Sequence, residues 1–213
     1  LDKTIVFGPH GKSELVSRGV SGEDVTIIPP AEPADSRFCQ PKSKQDIRSE
    51  LDIPHDKEVF LYVGRMTDQK GMRFLQEAIS TLPSLDNCLF ILVGSGKYEG
   101  VFNEEFDDDN VRAVGRVPHQ EIDLYYKCAD CYIHPSPYEG IPLVILESLS
   151  CGTPVLARPA GDIEFATNNI TQSPQEMAKA IANENYPYYW ENRKKFKLDW
   201  QQKQLKSMIE NIV

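Results

Sequence analysis

Residues 134–161 read HPSPYEGIPLVILESLSCGTPVLARPAG. The stretch carries two acids, Glu139 and Glu147, with seven residues between them. Glu139 falls in a Pro-Ser-Pro-Tyr-Glu-Gly loop, and Glu147 falls on the apolar helical pattern that follows. An apolar strand up to Ala157 comes next. An open α/β sheet binds ligands beyond the carboxyl ends of its strands. Two carboxylates on a strand-end loop and its following helix can grip the hydroxyls of a sugar or a ribose.

The same alternation extends to both sides. Apolar strand patterns lie at 59–63, 89–93, 111–114, 131–134 and 154–157, each bounded by Gly, Pro or Asp. Helical patterns lie between and after them at 71–82, 119–128, 142–151 and 174–183. This predicts an α/β fold: a Rossmann-like, doubly wound, mostly parallel sheet with helices on both faces. Gly64, Gly94 and Gly115 each end a strand, where a tight turn lets a ligand approach the backbone.

The first fifty residues differ. A strand is expected at 4–7, a helix at 12–18 and a second strand at 25–28. Pro29-Pro30-Ala-Glu-Pro33, ahead of a polar stretch to Ser49, reads as a linker or hinge. From Tyr186 the chain is rich in aromatic and charged residues, and Leu205, Met208, Ile209 and Ile212 have helical spacing. Such a helix either crosses to another domain or packs on its own. Residues 103–109 read as an acidic loop, with Asp107 and Asp109 solvated rather than metal-binding.

The chain has 213 residues, 40% of them hydrophobic, enough for a sizeable core. A formal charge of −9 disfavours nucleic acid or an anionic membrane surface as partner. No signal-peptide pattern and no bilayer-spanning apolar run is found. The chain opens on Leu1 and reads as a fragment. The cysteines, Cys39, Cys88, Cys128, Cys131 and Cys151, are odd in number, and a reduced, cytoplasmic compartment is expected. Cys128-Ala-Asp-Cys131 has redox-pair spacing, but Cys128 ends a helix and Cys131 begins a strand. A thioredoxin-type pair sits instead at a helix N-terminus, which lowers the thiol pKa. With no second such pair and no nearby His pair, zinc is not expected.

One further segment carries charge for chemistry: Tyr62-Val-Gly64-Arg65-Met-Thr-Asp-Gln-Lys70-Gly71. A strand ends at Gly64, a short loop carries Arg65, and Lys70 is expected to open a helix. Helix N-termini favour phosphate, Arg offers a bidentate fork and Lys a point charge. Two cations suit a diphosphate leaving group; the plainer reading is two solvated basic residues on a loop. After the Glu139 loop the helix is expected to begin at Pro142, leaving the N–H groups of Leu143 and Val144 free for a phosphate. Val144, Ile145, Leu146 and Leu149 surround Glu147 with apolar side chains, so it reads as a buried acid rather than an exposed helix acid. Gly94-Ser-Gly96 and Gly115-Arg-Val117-Pro118 follow strands, and Val117 could pack on a planar base; a structural turn explains either equally well.

These pieces occur in one order: Gly-Arg-(four residues)-Lys-Gly, Gly-Ser-Gly, Gly-Arg-Val, Pro-Ser-(two residues)-Glu-Gly, Glu147, then Cys-Gly-Thr-Pro-Val. That order resembles the C-terminal donor-binding domain of GT-B glycosyltransferases, most closely the retaining family 4 (glycosyl transferases group 1), over about residues 58–183. Where the family has an Asn-Gly-Val-Asp-like segment this chain has Pro30-Ala-Glu-Pro33. Gly161-Asp162 replaces its Gly-Gly, and Glu164 matches a frequent acid.

The resemblance implies a division into 1–33 (the end of an N-terminal domain and hinge), 34–185 (the donor-binding domain) and 186–213 (a helical extension). It implies that Arg65 and Lys70 hold the donor diphosphate and that Glu139 contacts the transferred sugar. Glu147 would hold the ribose. Gly64, Gly140, Ile141, Pro142, Leu143 and Val144 would line the donor, and Val117 would meet the base. The implied reaction is sugar transfer from a nucleotide diphosphate sugar to an acceptor hydroxyl, with retention, and with no metal and no cofactor. The implied acceptor is a glycan, lipid or small molecule held mainly by an absent N-terminal domain. The fragment is therefore expected to bind donor and transfer little. The expected location is cytoplasmic, with peripheral attachment at the inner membrane face left open. An epimerase or phosphorylase of the same fold, or a non-catalytic binding module, are the rivals. Arg65, Lys70, Glu139 and Glu147 together favour the donor half of an enzyme.

Overall fold

The computed structural model describes residues 3–190 and 192–210. The chain opens with β1 (Thr4–Val6), α1 (Pro9–Ser17) and β2 (Val25–Ile27), and the two strands pair in parallel as a small separate sheet. A 3-10 turn, Ser36–Cys39, and α2 (Lys44–Glu50) lead into the main unit. There β3 (Glu58–Val63), β4 (Cys88–Val93), β5 (Val111–Gly115), β6 (Cys131–His134) and β7 (Val155–Ala157) form a five-stranded parallel sheet in the order β5-β4-β3-β6-β7. The helices after these strands are α3 (Met72–Ser80), α4 (Glu99–Glu105), α5 (Ile122–Cys128), α6 (Leu143–Ser150) and α7 (Pro174–Ala182), and α8 (Leu198–Glu210) follows. The α/β class expected from the sequence is what the chain adopts.

The strands read as unbroken apolar runs because both faces are covered. Val59, Leu61, Leu89 and Ile91 point to one core, shared with α2, α5 and α6. Phe60, Tyr62, Phe90 and Leu92 point to the other, shared with α3, α4 and α7. Across β3 and β4, Phe60 and Phe90 pair in register and stack at 4.9 Å between ring centroids. Each such buried side chain contributes roughly 1.5–3 kcal/mol. In α3, Met72, Leu75, Ala78 and Ile79 make one apolar stripe that meets Met177 and Ile181 of α7.

The strand order sets the site. From β3 the chain builds outward through β4 and β5, then returns to lay β6 and β7 on the other side. The loops after the neighbours β3 and β6 therefore diverge and open a crevice at the carboxyl edge, where ligands of such sheets bind.

Two expectations are corrected, and one helix has no counterpart among the sequence patterns. The polar stretch to Ser49 contains α2. Ser43 caps α2 by accepting the Asp46 N–H, Ile47 is fully buried, and the buried Arg48 pairs with Asp130 at 2.6 Å. Its single apolar residue and a distant ion partner hid this helix among polar neighbours. Residues 103–105 of the acidic segment belong to α4, held down by the buried Phe102, while Asp107 and Asp109 are exposed. The first helix begins at Pro9, ahead of the expected residue 12.

The C-terminal extension returns to the Pro-rich segment. Gln201 of α8 donates to Pro29 O at 2.8 Å, Glu32 N–H donates to Phe196 O at 2.8 Å, and Lys197 pairs with Glu32. Leu205 and Ile209 face solvent, and Ile212 lies outside the described residues. No helix among the described residues is long and apolar enough to cross a membrane.

Candidate functional site

The loop after β3 carries Arg65, then a 3-10 turn, Asp68–Lys70, ends at Gly71 before α3. Lys70 thus closes a turn instead of opening the helix. Gly71 is left-handed, with φ of 74°, and a Cβ there would lie 2.0 Å from Pro135 O. Only glycine lets the two loops approach so closely. Ser136 Oγ adds a hydrogen bond of 3.3 Å to Gln69 O. The contact brings together two charges far apart in sequence: Lys70 Nζ donates to Glu139 Oε1 at 2.5 Å.

Beside this pair, α6 starts without a cap. Pro142 occupies the N-cap position in an extended conformation and supplies no side-chain acceptor, so the helix begins at Leu143, one residue later than expected. The first N–H groups, those of Leu143 and Val144, have no intrahelical partner at such a terminus. Gly140 and Leu143 are exposed, Pro142 and Val144 half-buried, and Ile141 packs into the core.

One turn into α6, Glu147 faces a cavity of about 390 Å³ whose wall also includes Gly64, Arg65, Ser95, Arg116 and Val117. Four residues singled out in sequence, Gly64, Arg65, Val117 and Glu147, therefore meet around one space. Lys70, Glu139 and residues 140–144 lie outside that wall. A Cβ on Gly94 would sit 1.8 Å from Gly64 O, so the loops after β3 and β4 can close on each other only with glycine there. Tyr126 OH donates to Glu147 Oε2 at 2.8 Å. Burial raises the Glu147 carboxyl above the usual carboxylate range, against the Tyr126 hydrogen bond and His119, which both lower it. Arg65 is exposed and forms no ion pair among the described residues.

Sequence reading passed over several contributors. Tyr126 falls within the helical pattern 119–128, and nothing local marks it as the partner of Glu147. Arg116, whose Nε donates to Ser95 Oγ at 2.9 Å, ties the two glycine turns together. His119 lines the cavity with no sequence signal. His134 was only the end of a strand, yet its Nε2 lies 3.7 Å from Glu139 Oε1.

A second cavity, of about 510 Å³, lies between the start of α1 and the loop after β7, with His10, Asp162 and Glu164 in its wall. Asp162 accepts the N–H of His10 at 2.6 Å and of Gly11 at 3.4 Å, and its own N–H donates to Gly140 O at 3.2 Å. The amino-terminal unit is thereby tied to the Glu139 loop.

All five cysteines are free. Burial pushes the Cys128 thiol up to about 12 and raises Cys131 as well, the opposite of a reactive pair. Among the described residues no cluster of three or more His, Cys, Asp or Glu side chains could hold a metal ion.

A family model described as "Glycosyl transferases group 1" matches residues 43–195. The chain is 31% identical over 203 residues to a D-inositol 3-phosphate glycosyltransferase of Streptosporangium roseum, covering 85% of this chain and 46% of that protein. It is 31% identical over 133 residues to O-antigen chain mannosyltransferase B of Escherichia coli, covering 56% of this chain and 31% of that protein. The solved structure of sucrose-phosphate synthase from Thermosynechococcus elongatus superposes with a TM-score of 0.77 at 27% identity, covering 98% of this chain and 57% of that one. The chain spans about half the length of such relatives.

Proposed function

From a chain that belongs to the glycosyl transferases group 1 family, we propose the donor-binding part of an enzyme that moves a sugar from a nucleotide diphosphate sugar to an acceptor hydroxyl. The observation that carries this reading is the cavity at the sheet's switch point, where Glu147, Val117 and Arg65 meet next to the uncapped start of α6.

Each part of a nucleotide sugar has a counterpart. Val117 and Ile122 offer an apolar surface to a base, and Glu147, held by Tyr126, can accept hydrogen bonds from ribose hydroxyls. The free N–H groups of α6 and the Arg65 guanidinium suit the diphosphate. Lys70 joins them as charge develops on the leaving nucleotide, so that side chains and backbone supply the neutralisation that a metal supplies elsewhere. Glu139 then faces the sugar. Transfer with retention, as in family 4, is part of the proposal. The acceptor, a glycan, lipid or small molecule, approaches from the side of the His10–Glu164 cavity. We place the whole enzyme in the cytoplasm or peripherally at the inner membrane face, and expect this chain alone to bind donor while transferring little.

The test is calorimetric titration with UDP, GDP and ADP, without metal and then with magnesium, on wild type and Glu147→Ala. Metal-independent binding of one nucleotide, lost in the variant, is expected. Binding of none of the three, or binding untouched by the variant, would overturn the reading.

A further inference from the structure

Lys70 has two claims on it. Its ammonium is hydrogen-bonded to Glu139 Oε1 at 2.5 Å, and the donor-site reading sends the same group to a diphosphate. The Glu139 side chain is only 13% exposed. A carboxylate so covered is costly to leave without a partner.

A replacement is already in place. His134 Nε2 lies 3.7 Å from the same oxygen, and its side chain is 4% exposed. That nitrogen has no hydrogen-bond partner, which is rare for a buried polar atom. The ring is held from behind. Its Nδ1 is 3.2 Å from Tyr132 OH, a closer acceptor for that hydroxyl than Val63 O at 3.4 Å. With Nδ1 accepting, the proton of a neutral ring sits on Nε2, facing Glu139. Burial keeps the ring neutral, its pKa lowered to about 4. The backbone is fixed too, since His134 pairs with Ala157 in the sheet and its carbonyl accepts the Arg158 N–H at 2.8 Å.

We infer that His134 is a positioning residue, the second partner of Glu139: when Lys70 turns to the diphosphate, the imidazole Nε2–H takes over Oε1 and holds the carboxylate toward the sugar. No proton changes owner, and one hydrogen bond replaces another. The inference rests on the donor-site reading for the ligand that draws Lys70 away.

Two measurements on the full chain test it. In the ligand-free Lys70→Met variant, nitrogen-15 NMR of the imidazole should show Nε2 protonated and hydrogen-bonded. That signature should vanish when Glu139→Ala is added. An Nε2 without its proton, or a signal indifferent to Glu139, overturns the inference. In titrations with whichever of UDP, GDP and ADP the wild type binds, and with the glucose ester of that nucleotide, His134→Leu should weaken the sugar nucleotide by about tenfold while leaving the free nucleotide unchanged. His134→Gln, which restores an N–H donor, should recover affinity to within about threefold of wild type. Equal loss for both probes, or no rescue by Gln, assigns His134 a merely structural role. A wild-type chain that binds none of UDP, GDP and ADP overturns the donor-site reading itself.

Discussion

The Tyr126 hydroxyl, on a side chain wholly enclosed in the core, donates to Glu147 Oε2 at 2.8 Å. One carboxylate oxygen is thus fixed by the interior, and the other is left for what enters the cavity. Tyr126→Phe removes the hydrogen bond and preserves the packing. Nucleotide affinity should fall about tenfold with little change in melting temperature. Wild-type affinity in calorimetry would show that Glu147 needs no such support.

Arg65 is exposed at the mouth of the same cavity. Arg65→Ala should weaken UDP by about tenfold while leaving uridine binding unchanged, because on the proposed reading its partner is the diphosphate. The salt dependence of UDP binding should become shallower in the variant. An equal loss for uridine would move Arg65 from the phosphates to the nucleoside.

Asp162 accepts N–H groups of His10 and Gly11 and so caps α1 from across the chain. Asp162→Ala should cost about 1 kcal/mol, the usual loss for an N-cap acid. Hydrogen exchange should quicken in α1 while the five-stranded sheet stays protected. Unchanged exchange in α1 would rule out this tie.

Acidification should act through His134. Its folded pKa is lowered to about 4 from 6.5, so the unfolded chain takes up the proton first. The stability is fully present above about pH 6.5 and is lost as pH falls toward 4. His134→Gln should flatten the melting temperature over that window. An unaltered slope would mean that the ring titrates as if exposed.

Glu58 slopes the other way. Burial, then Glu184 and Asp130, raise its carboxyl to about 7 from 4.5, against Lys44. The folded state holds the proton longer, so stability falls as pH rises from 4.5 to 7. Glu58→Gln should raise the melting temperature at pH 8 and leave it unchanged at pH 4. A gain of equal size at both pH values would contradict this assignment.

Strand and helix identities could be read along the chain because buried parallel strands and amphipathic helices write themselves in local patterns. Val59 to Val63 and the stripe of α3 needed no distant information. The helix Lys44–Glu50 did, since Arg48 is buried by an ion pair with Asp130, which no window of sequence contains. Nor does any window of sequence show that Lys70 pairs with Glu139, across a loop contact that depends on Gly71.

By itself, then, the sequence determined the α/β class, the order along the chain of the five strands of the main sheet, and the residue types of the proposed donor site. These follow from periodicity and turn chemistry, which act between near neighbours. Only the tertiary structure decided which charges pair, that Tyr126 supports Glu147, and that His134 stands behind Glu139. Such contacts form when loops from adjacent strands of a returning sheet converge, and that convergence depends on strand order and close backbone approach rather than on spacing along the chain.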